Sequence, residues 1–150
     1  MYDGDDIDFL YNLQPHGWST YLLYINGDIY NFAITHAFSC PIADMIEAIM
    51  LINKGAIESE FIFPGEPSGY RWWLRINDKQ HHKVIITISE ISDFFTKADK
   101  EKEKVIVTFE IKKKQLSTLI YFQLLKIAAL LEEKSYRDRR RGDFPFVQYK

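Results

Sequence analysis

Two strand-like runs, WSTYLLYI (18–25) and DIYNFAITHAF (28–38), are separated only by Asn26-Gly27, and no other feature restricts the fold as strongly. Asn and Gly both tolerate the positive φ angles of a type I′ turn, whose twist matches that of antiparallel strands, so the segment reads as a β-hairpin. A two-residue loop also sets the register: Ile25 opposes Asp28, Leu23 opposes Tyr30 and Tyr21 opposes Phe32, all on one face. That face is the expected core side. The reverse face carries Trp18, Thr20, Leu22, Tyr24, Ile29, Asn31 and Ala33, which is less polar than a bare solvated surface, so part of it is expected to be covered.

Around the hairpin the patterning alternates between periods of two and of 3.6. Residues 1–17 hold four aspartates among the first eight positions and read as an acidic lead-in segment. After the hairpin, Ser39 and Pro41 supply helix-start chemistry. Ile42, Met45, Ile46, Ile49 and Ile52 then recur at helical spacing until Lys54-Gly55 ends the pattern. Three strand candidates follow: ESEFIF (58–63), YRWWLRI (70–76) and HHKVIITISEI (81–91), the first two joined by a turn-rich FPGEPSG. Residues 92–104 are mixed-charge and read as an exposed loop. In KVIVTFEI (104–111), Val105, Val107, Phe109 and Ile111 alternate against Ile106, Thr108 and Glu110, a half-buried strand. A second, longer helix is expected from about Gln115 to Tyr136, more apolar than one stripe requires, and residues 142–150 read as an irregular tail.

The predicted fold is therefore α+β, a single domain over 1–150. It comprises a twisted, mostly antiparallel sheet of five to six strands with two helices on one face, in the order ββα-βββ-β-α. A chain of 150 residues that is 47% hydrophobic and 15% aromatic has enough apolar surface for one core. The single cysteine, Cys40, rules out an intrachain disulfide and suits a reducing, cytoplasmic setting. The acidic N-terminus is unlike a secretory signal, and the apolar stretches are too broken by charge for a membrane span, so no membrane association is expected.

A net charge of −2 supplies no global attraction for phosphates, so nucleic acid would need a local patch. His36 and Cys40 lie four apart, but two ligands do not complete a structural zinc site, and His81-His82 would point to opposite sides of a strand. No Gly-rich phosphate loop, nucleophile elbow or metalloprotease helix motif occurs. No catalytic residue, cofactor or metal is therefore assigned.

The segment Tyr70-Arg71-Trp72-Trp73-Leu74-Arg75-Ile76 is more informative. Strand alternation sends Tyr70, Trp72, Leu74 and Ile76 to one side and Arg71, Trp73 and Arg75 to the other. The first set is a natural core face. The second sets a tryptophan between two arginines, residue types that dominate binding hot spots and stack on nucleobases. The competing reading is structural, with arginine stems packed over a tryptophan that the terminal segments cover. A further asymmetry runs from Asp3, Asp5, Asp6 and Asp8 at the front to Arg137, Arg139, Arg140 and Arg141 at the back. These groups either pair with one another, stay solvated or steer a partner.

Taken together, FPGEPSGYRWWLR (63–75), Phe94-Phe95, VTFEI (107–111) and LLEEKSYRDRRRGDFPF (130–146) resemble small bacterial α+β proteins of the polymorphic or contact-dependent toxin immunity type. The resemblance spans about residues 18 to 146 and implies a non-enzymatic protein that binds and neutralises a toxin domain. The near-neutral charge departs from the strong acidity of immunity proteins directed at basic nucleases and leaves the toxin class open. Arg71, Trp73 and Arg75 are the preferred partner-contact residues, with Trp18 and Tyr24 as secondary candidates. The alternatives are a single-strand nucleic-acid binder using the same side chains and a small enzyme using His36, Cys40 or the His81-His82 pair. A homodimer through the second helix is compatible with its broad apolar surface.

Overall fold

In a computed structural model of the chain, the residues described are 5–36, 40–65, 68–91 and 103–140. The Asn26-Gly27 hairpin forms as its sequence requires. Strand β2 (Trp18–Ile25) pairs with β3 (Asp28–Thr35) in the expected register, Ile25 to Asp28, Leu23 to Tyr30 and Tyr21 to Phe32. Asn26 and Gly27 both take positive φ, 49° and 91°. Tyr21, Leu23, Ile25 and Phe32 are buried, so the assigned core face is the core face.

The hairpin does not stand alone. Strand β1 (Ile7–Leu13) adds antiparallel to β2, with Phe9 opposite Leu23 and Tyr11 opposite Tyr21. Residues 7–13 of the presumed lead-in are thus a strand. Ile7, Phe9 and Tyr11 alternate with Asp8, Leu10 and Asn12, and the buried set joins the core face of the hairpin. A short 3-10 turn at Pro15–Gly17 then delivers the chain into β2.

Helix α1 (Pro41–Asn53) begins with proline at its first position and buries Ile42, Met45, Ile46, Ile49 and Ile52, as their spacing demands. Gly55, at φ 106°, lets the chain reverse after it, with the Gly55 and Ala56 amides bonding back to Ile52 and Leu51 carbonyls. A four-stranded antiparallel meander follows: β4 (Glu58–Pro64), β5 (Gly69–Ile76), β6 (Lys83–Ile91) and β7 (Lys104–Lys112), adjacent in that order. At the β4–β5 turn a Cβ on Gly65 would collide with the Ser68 carbonyl, so this position accepts no larger residue without a backbone shift. His81 and His82 sit in the turn before β6 rather than on a strand, where the His81 ring meets the Asp78 carbonyl oxygen at 3.0 Å.

The molecule is α+β, but the seven strands among the described residues form two sheets, β1-β2-β3 and β4-β5-β6-β7, instead of the single sheet expected from the sequence. The reason lies in the faces. Each sheet has one apolar side, and stacking the two hides both at once. Tyr21 and Trp72 meet edge-on with ring centroids 5.1 Å apart, Tyr21 and Phe63 lie 5.4 Å apart, and Phe32 and Tyr70 4.6 Å apart.

The helices do not share one face either. Helix α1 packs along β4 and β5, whereas α2 (Lys113–Leu130) lies against β1 and β7, bridging an edge of each sheet. Leu116, Ile120, Leu124 and Ile127 of α2 enter the common core. The expected single helix over 115–136 breaks after Leu130, where the Glu132 and Glu133 amides form tighter i→i−3 bonds and Glu133 turns extended before α3 (Lys134–Arg139). Two adjacent glutamates oppose the negative end of the first helix and suit the start of the next, so the chain restarts there.

No helix among the described residues is long and apolar enough to cross a membrane. The tail 142–150, the Phe94-Phe95 pair, Ser39, Asp3 and Arg141 lie outside the described residues.

Candidate functional site

The outer face of the four-stranded sheet is built from three cross-strand rows. Glu58 opposes Arg75, which opposes Ile85 and then Glu110; Glu60 opposes Trp73, Thr87 and Thr108; Ile62 opposes Arg71 and Ser89. Directly opposed residues share a side of the sheet, so register alone gathers two arginines, a tryptophan and several carboxylates on one surface.

Strand β7 departs from simple alternation. Ile88 pairs with Val107 but Ser89 pairs with Val105, leaving Ile106 as the extra residue of a β-bulge. The bulge turns Val105 outward, 57% exposed, where alternation from Val107 would have kept it inside. Glu103 is carried to the same outer side and reaches the Arg71 Nε at 2.8 Å. A second carboxylate, Glu60, accepts from the other end of the same guanidinium at 3.2 Å. Arg71 is thus clamped between an acid of β4 and one just before β7, and is a partly buried structural ion pair as much as a free contact group.

Trp73 and Arg75 form the other half of the surface. The Arg75 guanidinium lies 4.0 Å from the Trp73 ring centroid, a cation–π contact, and donates to Thr87 Oγ1 at 3.3 Å. Its Nε is buried without a hydrogen-bond partner among the described residues. Trp73 itself stays 38% exposed. The arginine-over-tryptophan packing of the structural reading is present, yet the ring keeps an open side. The adjoining groove has a volume of about 530 Å³ between Glu58, Glu60, Arg71, Trp73, Ser89 and Glu103.

Trp18 and Tyr24 are not brought to this surface. Both belong to the outer side of the three-stranded sheet, where Trp18 is 37% exposed and Tyr24 half-buried, with the shared core between them and Trp73. Sequence reading also missed Glu60, Glu103 and Thr87 as members of the site. Glu60 and Thr87 follow from register once the β4–β5–β6 pairing is known; Glu103 depends on the bulge and has no signal in the alternation.

The residues considered for catalysis sit elsewhere. His36 closes β3, and its Nε2 is met by the hydroxyls of both Ser19 and Tyr11, the latter at 3.3 Å. Ser19 is fully buried. Burial lowers the His36 pKa. Burial also pushes the Tyr11 phenol well above its ordinary value, against the Ser19 hydrogen bond and with nearby Cys40 acting in the same direction as burial. The arrangement is an internal polar cluster tying β1, β2 and the end of β3 together. Among the described residues no three His, Cys, Asp or Glu side chains converge as a metal site.

Among the described residues the charged ends are each tied to other parts of the chain. Asp5 pairs with Lys112 at 3.5 Å, while Arg140 donates to the Leu13 carbonyl at 2.9 Å and lies over Tyr136.

No protein-family model matches the chain, and no curated protein matches it. Among solved structures, the fold is similar to a chain of the "CdiA-CT/CdiI toxin and immunity complex from Enterobacter cloacae", with a TM-score of 0.50 at 9% sequence identity, covering 78% of this chain and 97% of that one. At that identity the similarity is one of fold alone.

Proposed function

We propose that the protein is a non-enzymatic binding module of the immunity type, which neutralises a bacterial toxin by covering part of its surface with the outer face of the four-stranded sheet. The observation that carries this reading is Trp73, half-open on an interior strand, steadied by Arg75 and edged by a groove of mixed charge. An aromatic ring held rigid before contact loses little entropy on binding, which is why tryptophan and arginine concentrate in interface hot spots. The fold similarity to a chain of a toxin–immunity complex supports it, as do the segments that resemble immunity proteins.

The stacking-platform alternative loses weight from the same surface. Glu58, Glu60 and Glu103 line the groove, and Arg71 is already paired with two of them, so a phosphate backbone would meet repulsion where it needs cations.

Titration of the purified protein against bacterial toxin domains, beginning with any encoded beside its gene, tests the proposal. Trp73→Ala is expected to weaken binding by about 30-fold or more, the scale of a hot spot, and Arg75→Ala by about 10-fold. Trp18→Ala is expected to leave affinity unchanged. Full affinity in both Trp73→Ala and Arg75→Ala would reject this face.

A further inference from the structure

The groove beside Trp73 is not balanced in charge. Three carboxylates line it, those of Glu58, Glu60 and Glu103, against the single guanidinium of Arg71. Arg75 does not share this lining and opens instead on a neighbouring cleft with Lys79 and Lys113.

Much of the negative charge is also unused. Glu60 and Glu103 each give Arg71 one oxygen, Oε1, and the Oε2 of both is without a partner among the described residues. Glu58 stands directly opposite Arg75 across the β4–β5 ladder, where an ion pair would be natural. Arg75 turns to Trp73 and Thr87 instead, and the exposed Glu58 carboxylate is left without an ion pair among the described residues.

Ser89 gives a second, independent sign of what the groove receives. It lies opposite Arg71 on the next strand, lines the groove and is only 8% exposed. Its hydroxyl has no hydrogen-bond partner among the described residues, whereas a hydroxyl so far withdrawn from water is ordinarily bonded. An N–H entering the groove would satisfy it. Beside these acceptors the walls are apolar, formed by the Trp73 ring and by Val105, which the bulge turns outward. Surplus negative charge next to apolar walls matches a cation carried on a methylene stem, which is the build of lysine and arginine. A volume of about 530 Å³ is ample for one such side chain.

We infer that the groove is the receptor for one basic anchor, a lysine or arginine side chain presented by the protein partner. The inference rests on the binding reading of this face and narrows it: the partner surface that meets Trp73 carries a protruding basic residue. Glu58, in water, attracts that residue weakly, while the more enclosed Glu103 and Ser89 supply most of the selectivity, because charge-assisted hydrogen bonds strengthen away from water.

A blocked Gly-Arg-Gly peptide, titrated into the full chain at low ionic strength, tests this, with Gly-citrulline-Gly as the neutral isostere. The indole N–H resonance of Trp73, assigned by its loss in Trp73→Phe, is the reporter. The arginine peptide is expected to shift it saturably at millimolar concentration and to bind at least about 10-fold more tightly than the citrulline peptide. Glu58→Gln is expected to weaken the arginine peptide about 3-fold and Glu58→Lys about 10-fold. Neither change breaks an ion pair seen among the described residues, so the loss reports on the groove. Equal responses to the two peptides, or wild-type binding in Glu58→Lys, would overturn the assignment. The same variants separate it from the reading it rests on: toxin binding that needs Trp73 but ignores Glu58→Lys rejects the basic anchor and keeps the face, whereas toxin binding that survives Trp73→Ala and Arg75→Ala rejects the face itself.

Discussion

Trp72 and Trp73 are neighbours in sequence with opposite fates, and the contrast between the two faces of β5 separates what holds the fold from the surface proposed for binding. Trp72 is 4% exposed, stacked on Phe61 with centroids 5.3 Å apart and meeting Tyr21, Phe63 and Phe109 edge-on. Trp73 faces outward between two arginines. On the inner face energy comes from apolar area withdrawn from water and from ring geometry. On the outer face the same side chain stays 38% exposed and adds less to folding. A rigid core behind the outer face holds that ring in place.

The comparison can be broken at several points. The largest effect is expected at Trp72→Ala, which removes a ring from the junction of the two sheets and should cost about 3–5 kcal/mol in denaturant unfolding. Trp73→Ala, by contrast, should cost about 1–2 kcal/mol, because its ring is already 38% exposed and loses part of its burial together with the cation–π contact to Arg75. Equal losses in the two variants would erase the proposed division.

A smaller effect is expected at the bulge. Glu103→Gln keeps the shape of the side chain but removes the charge that holds Arg71, and should cost about 1 kcal/mol. If Arg71 is held chiefly by this contact, affinity for the proposed toxin partner should fall with it; unchanged stability and unchanged affinity together would show that the clamp is not structural.

The smallest effect concerns the polar exception behind the apolar core. Burial lowers the His36 pKa below its ordinary value of 6.5, so the unfolded chain binds the proton more readily. The associated stability is complete above the ordinary histidine pKa and is lost as pH falls from there through the folded-state value. Unfolding free energy should therefore decline on acidification below about pH 6.5, and His36→Gln should flatten that part of the profile. An unchanged slope would show that another group controls it.

Local chemistry was legible in advance because its causes are local. The positive φ of Asn26 and Gly27, the proline start and glycine end of α1, and the inward side of β5 depend on neighbours within a few residues. So do the separation of Trp72 from Trp73 and the placement of Arg71 and Arg75 beside the latter. Strand β1 was legible too, in the alternation of Ile7, Phe9 and Tyr11, but the aspartates around it drew the segment towards a solvated reading.

What the amino-acid sequence determined by itself was the set of elements from the hairpin to β7 and the faces they present, because periodicity and turn stereochemistry act along the chain. Only the tertiary structure decided that the strands divide into two stacked sheets, that the bulge at Ile106 turns Val105 and Glu103 outward, and that Trp18 and Tyr24 lie on a different surface from Trp73. Those outcomes depend on which apolar face covers which, and on a ladder that accommodates one extra residue, both settled between segments far apart in sequence.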